Sequence, residues 1–345
     1  MNLSGRVGLG VFASLVLLGT VGLARPSGSG YHLLKTVPIG AAPEGAEYFD
    51  YVTVDPANRR VYIAHGAEVK VLDADKFSIV ASITGVKRCH GVALVPELNK
   101  GFIADGDGAK VVVFDIKTLK ITGEIATYPD TDSITYDPVS KMVVTFNGDS
   151  KNASVIDPVK ETMIKTLDMG GAPEQPAVDT NGTIYDNNKD TSDVVVIDTH
   201  ALTIKTRWSI KPAGQAVALA LDTEHRRLFS AGRNPAALVL MDADNGKVLQ
   251  SFPITAGVDA NIFDPTTGLV FSSTRAGVLH VFHEDSPDKL TPVEEIKTEY
   301  GAKTMGLDPK THNIFLVTSD FTPASEPNGA RKAIKGTARV LIYGR

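Results

Sequence analysis

Cysteine is almost missing from this chain. A single thiol, Cys89, in 345 residues excludes a disulfide-stapled scaffold and a zinc module built from several cysteines. An excess of cations is missing as well. The 35 Lys and Arg face 40 Asp and Glu, a formal net charge of -5, which argues against a general affinity for nucleic acid; such affinity depends on Lys and Arg displacing phosphate counterions. No GxSxG elbow, phosphate-binding glycine loop or HExxH helix occurs, so no catalytic residue is assigned. After the N-terminal segment, helical periodicity is absent too. What is there is 43% hydrophobic and 22% charged, the composition of a soluble globular protein, and its length suggests about two domains.

The first segment stands apart. Residues 1–6 carry one positive charge, residues 7–24 carry none, and Gly22, Leu23 and Ala24 give a small-x-small end before Arg25 and Pro26. This pattern fits a secretory signal peptide over 1–24. The apolar run also reaches the lower limit of a spanning helix, so an uncleaved N-terminal anchor is the alternative. Its glycines weaken a stable helix and favour cleavage. No cysteine lies near the junction, which excludes a lipoprotein anchor. A periplasmic or secreted location follows, with membrane contact only through an uncleaved N-terminal segment.

The remainder repeats. An apolar strand ending in Asp, a short polar turn and a second apolar strand recur, as in VTVDPANRRVYIA (52–64), ITYDPVSKMVVTF (134–146) and LALDTEHRRLFSA (219–231). The anchors are Asp55, Val95, Asp137, Asp179, Asp222, Asp264 and Asp308, spaced by 40, 42, 42, 43, 42 and 44 residues. A further strand ending in Asp follows each of the first five, at Asp73, Asp115, Asp157, Asp198 and Asp242. Four antiparallel strands, A to D, per repeat of about 42 residues predict an all-β, seven-bladed β-propeller. One domain over 25–345 then replaces two. The seventh repeat stops after strand C. Its missing strand D is expected from YHLLKTVPIG (31–40), which would close the ring and remove both free sheet edges.

MVVTFNGDSKNASVIDP (142–158) and VYIAHGAEVKVLDAD (61–75) resemble the repeat of the YVTN-type β-propellers, named for a Tyr-Val-Thr-Asn stretch before a strand ending in Ile-Asp. The similarity spans 31–345. The literal string is absent, and Val144-Thr145 before Asn147 comes nearest. The resemblance implies an exported bacterial seven-bladed propeller and implies no particular activity.

Antiparallel order places the start of A, the end of B, the start of C and the end of D on one face. Five residues before each anchor lie Asp50, His90, Asp132, Glu174, Val217, Asp259 and Lys303, which should ring the channel mouth. In the fifth blade Gln215 is the expected polar contributor. The B–C loops add His65, Asp105, Arg233 and Arg275 to this candidate ligand-binding face, together with Asp107, Asn147, Asn187 and Asn188. His65, His90, Asp50 and Asp132 are the types that suit a borderline divalent metal. A wet channel needs polar lining in any case, and no cofactor is expected. Like charges at Asp132, Glu174 and Asp259 should raise one another's pKa. Cys89 should point away from His90 as a buried thiol, and Trp208 should serve blade packing. Blade seven carries a long B–C insertion at 319–337 with Arg331, Lys332 and Lys335, either a lid or cation source for an anionic ligand, or a solvated loop.

Three functions remain open. One is a monomeric cell-envelope binding or scaffold propeller whose partner is a small molecule, protein or peptide. The second is a lactonase-like or other metal-assisted hydrolase at the same mouth, with His65 or His90 assisting. The third, nucleic-acid binding through the basic stretch 331–339, is opposed by the net charge.

Overall fold

Most turns after a strand-A anchor share one chemistry, and a computed structural model shows what that repetition builds. It describes residues 1–2, 28–45, 47–324 and 331–345. The expected signal segment therefore lies outside the described residues, apart from Met1 and Asn2, as does the middle of the 319–337 insertion. At the first anchor the Asp55 carboxylate accepts from the backbone N–H of Ala57 and Asn58 at 3.1 and 3.0 Å, capping its own turn. Four residues after the anchor, Arg59, Asn99, Lys141, Arg226, Gly268 and His312 adopt left-handed φ values of 54° to 66°. That residue reverses the chain into strand B. In three blades it also reaches the anchor of the preceding blade: Arg59 to Asp308 at 2.6 Å, His312 to Asp264 at 2.8 Å, and Arg226 to Asp179.

The strands assemble into seven four-stranded antiparallel sheets in a closed ring, the predicted seven-bladed β-propeller. Strand A of the successive blades is Phe49–Asp55, Cys89–Val95, Thr131–Asp137, Pro173–Val178, Ala216–Asp222, Val258–Asp264 and the short Met305–Leu307. The last sheet is completed as expected, with His32–Gly40 pairing antiparallel to Ala338–Gly344. The sole helix among the described residues is a 3-10 turn, Pro96–Leu98.

Seven apolar clusters hold the ring, one at each junction between blades. Val61 and Ile63 of blade one meet Phe315, Val317 and Val340 of blade seven, for example. Strands B and C are covered on both sides, so they read as nearly continuous apolar runs. The outer D strands have one solvated edge and are mostly exposed. Each fully buried Val or Ile contributes roughly 1.5–3 kcal/mol, so each junction rests on many such terms. Trp208 packs on blade four as expected, stacked on Tyr185 at 6.0 Å.

Candidate functional site

Strand A is not regular where it enters the channel. Its pairing with strand B slips between Phe49 and Val52, Cys89 and Val92, Thr131 and Ile134, and Pro173 and Pro176. Such bulges add a residue to one strand and break the alternation of faces. They deliver the residues five before each anchor to a common mouth.

On the side of blades one to four this mouth is acidic. His90 is buried, and its Nδ1 lies 2.8 Å from Asp50 Oδ2, 3.0 Å from Asp132 Oδ1 and 2.9 Å from the Tyr48 hydroxyl. Tyr48 donates to Asp50 at 2.5 Å. Burial alone would lower the His90 pKa, but Asp132 and Asp50 outweigh it and push it up to about 10. Burial opposes ionisation of Asp50, yet Lys303 and His90 hold it down at about 2. The group is thus an imidazolium between two carboxylates. Glu174 pairs with Lys189, but its pKa is raised by burial and by Asp132. Behind it Asp186 is fully buried with neither carboxylate oxygen hydrogen-bonded, and burial and Glu174 push its pKa well up.

On the side of blades five to seven the mouth is basic. Lys303 is paired with Asp259 and lies 3.8 Å from Asp50, and Arg233 shares Asp259. Burial lowers the Lys303 pKa, and Arg275 and Arg233 add to the lowering. The described stems of the blade-seven insertion close over this half. Phe321 and Ala333 form a β-bridge, and the Thr322 N–H donates to Lys332 O at 2.8 Å. Phe321 packs edge-on against Tyr300 at 5.0 Å and Phe49 at 6.4 Å. Gly301 seats it: φ is +88°, and a Cβ there would lie 2.4 Å from the Phe321 ring. Beneath lies a cavity of 620 Å³ whose lining includes Tyr48, Phe49, Phe321, Arg275, Lys303 and Lys332.

The predicted residues therefore separate into groups. Asp50, His90 and Asp132 come together, Glu174 is beside them, and Arg233, Asp259 and Lys303 form the opposing chain, with Arg275 at the cavity. His65 does not join them. It is fully buried, paired through Nε2 with Glu47 and lying 3.3 Å from Glu68 through Nδ1. Asp105 caps a turn, accepting from the N–H of Lys87 and Arg88 at 3.0 Å each. Gln215 is exposed with φ 55°, and its backbone N–H donates to Ser192 Oγ. Cys89 is buried, its thiol bonded to Glu68 O and pushed up to about 12 by burial.

Sequence reasoning passed over Tyr48, Tyr51 and Gln175. The Gln175 side chain ties blade four to blades five and six, accepting from the N–H of Leu219 and Asn261 at 3.1 Å each and donating to Asn261 O at 3.2 Å. Tyr51 and Gln175 both line a second cavity of 730 Å³ that opens toward the Pro56, Pro138, Pro265 and Pro309 turns.

Asp50, His90 and Asp132 fit a divalent cation in type, each offering one ligand atom within 4.8 Å of the others. Protonated His90 and nearby Lys303 already balance these carboxylates, so a cation has to displace the His90 proton. Asp222, His225 and Glu284 form a similar cluster at the opposite face.

These features define a seven-bladed β-propeller with a polar site at one channel mouth. No family model matches the chain, and no curated protein is similar to it. Among solved structures it is similar to a chain of "Kuenenia stuttgartiensis Hydrazine Synthase", with 13% identity, a TM-score of 0.68 and coverage of 84% of this chain and 95% of that one. It is also similar to a chain of "Crystal Structure of Mitotic Checkpoint Complex", with 13% identity, a TM-score of 0.72 and 99% coverage of both. At such identity the likeness establishes the fold alone.

Proposed function

We propose that the protein is an exported, monomeric binding protein of the bacterial cell envelope that takes its ligand at the channel mouth where strands A begin. The observation that carries this reading is a cavity of 620 Å³ on the basic side of the mouth, whose Lys303 lies 3.8 Å from Asp50 of the neighbouring acidic cluster. A rigid closed ring suits recognition, because little ordering cost is left to bind. The leader-like segment 1–24 supports export. A screen of purified mature protein against lactones, peptides, sugars and organic acids tests binding. A ligand-induced rise in melting temperature that Asp132→Asn or Arg275→Gln reduces is expected. No shift with any compound would sink the reading. Export is tested by cell fractionation with intact-mass analysis, which should find the chain outside the cytoplasm and lacking residues 1–24.

The second reading, a metal-assisted hydrolase, draws on the Asp50–His90–Asp132 spacing. Those three residues would hold a divalent cation that activates water. Metal analysis together with lactone hydrolysis assays tests it. Metal-free, inactive protein would remove it.

A further inference from the structure

The cavity at the mouth has an unbalanced lining. Five cationic side chains, Arg275, Lys303, Arg331, Lys332 and Lys335, share it with one carboxylate, Glu47. That carboxylate is committed elsewhere: one oxygen binds buried His65, and the other accepts from Gly336 N–H at 3.0 Å. Lys303 is compensated by Asp259. Arg331 lies over the Tyr300 ring at 4.5 Å, and Lys335 reaches Gly45 O at 3.4 Å. Among the described residues, neither Arg275 nor Lys332 has a carboxylate within ion-pair distance. Charge of one sign gathered against low-dielectric walls raises the local concentration of the opposite ion.

The same cavity has an aromatic side. Tyr48, Phe49 and Phe321 line it, and 620 Å³ lies in the range of pockets for small organic ligands, about 300–1,000 Å³. An inorganic anion would leave most of that space empty. Resting on the mouth-binding reading, we propose that this cavity binds an organic anion. Arg275, Lys303 and Lys332 hold its carboxylate or phosphate group, and its planar apolar part lies against Tyr48 and Phe321. Arg275 suits the charged end because its planar fork can donate two parallel hydrogen bonds to such a group.

Calorimetric titration of the mature protein at low ionic strength tests the proposal, with phenyl phosphate, phthalate, inorganic phosphate, benzyl alcohol and benzylamine as probes. Phenyl phosphate or phthalate should bind, whichever of the two charged groups the site prefers, and more tightly than inorganic phosphate or benzyl alcohol. Added salt should weaken the binding. Arg275→Gln and Lys332→Gln should each weaken it about tenfold, as expected when a charged partner is lost. Phe321→Ala should weaken the aromatic anions and leave inorganic phosphate unchanged. Lys310→Gln, on the opposite face, serves as the unaffected control. Equal binding of phenyl phosphate and inorganic phosphate would overturn the aromatic half of the proposal. Binding of benzylamine or benzyl alcohol alone, lost in Asp132→Asn, would overturn the anion class and leave mouth binding standing. No heat with these probes, together with no hit in the wider ligand screen, would overturn both.

Discussion

Replacing His90 with asparagine removes the one positive charge that lies between Asp50 and Asp132. The imidazole Nδ1 is 2.8 Å from one carboxylate and 3.0 Å from the other, and the side chain is buried. Deleting one partner of a buried charge group leaves the others uncompensated, which costs about 3–5 kcal/mol. With an unfolding entropy of roughly 2.1 cal/mol/K per residue over about 300 ordered residues, a loss of ~4 kcal/mol lowers the melting temperature by about 6 °C. The cost should depend on pH. The pKa of His90 is raised from 6.5 to about 10 in the folded state, so its stabilisation is complete below about pH 6.5 and disappears as pH rises through 10. Thermal melts of wild type and His90→Asn from pH 6 to 10 should therefore converge at the alkaline end. A difference that stays constant across this range, or one below about 1 kcal/mol at pH 6, would refute the imidazolium assignment.

Asp186→Asn should raise stability at neutral pH by roughly 1 kcal/mol or more, since burial and Glu174 make ionisation of this carboxyl costly. The penalty grows as pH rises above the ordinary carboxylate range, so denaturant melts should show a larger gain at pH 8 than at pH 4. Gly301→Ala should expel Phe321 and strain a left-handed residue at about 1–3 kcal/mol, seen as faster limited proteolysis within 319–337. Removing residues up to Gly40 should expose the Ala338–Gly344 edge and produce aggregation, measured by light scattering. A truncated chain that stays monomeric with an unchanged melt would contradict closure by the N-terminal strand.

The fold was legible because each blade repeats its turn chemistry. An anchor Asp that caps its own turn, followed by a left-handed residue, marks the A–B corner, and where Val95 stands in its place the left-handed Asn99 remains. The acidic and basic mouth residues were legible for the same reason, since they keep a fixed distance from the anchor. Tyr51 and Gln175 were not. The strand-A bulges put consecutive residues such as Asp50 and Tyr51 near one channel, which strict alternation does not foresee. The placement of His65 was also hidden. Its partner Glu47 belongs to the D–A connection before blade one, residues 41–48, which is longer than the connection at 85–88 and shares no residue pattern with it, so it gives no periodic signal.

The most direct measurement is a crystal structure of the mature protein with phenyl phosphate or phthalate at neutral pH. Density for the anion is expected beside Arg275, Lys303 and Lys332, with its ring against Phe321. Density confined to the cavity beside Tyr51 and Gln175, with only water at the mouth, would contradict the assignment of this face as the binding site.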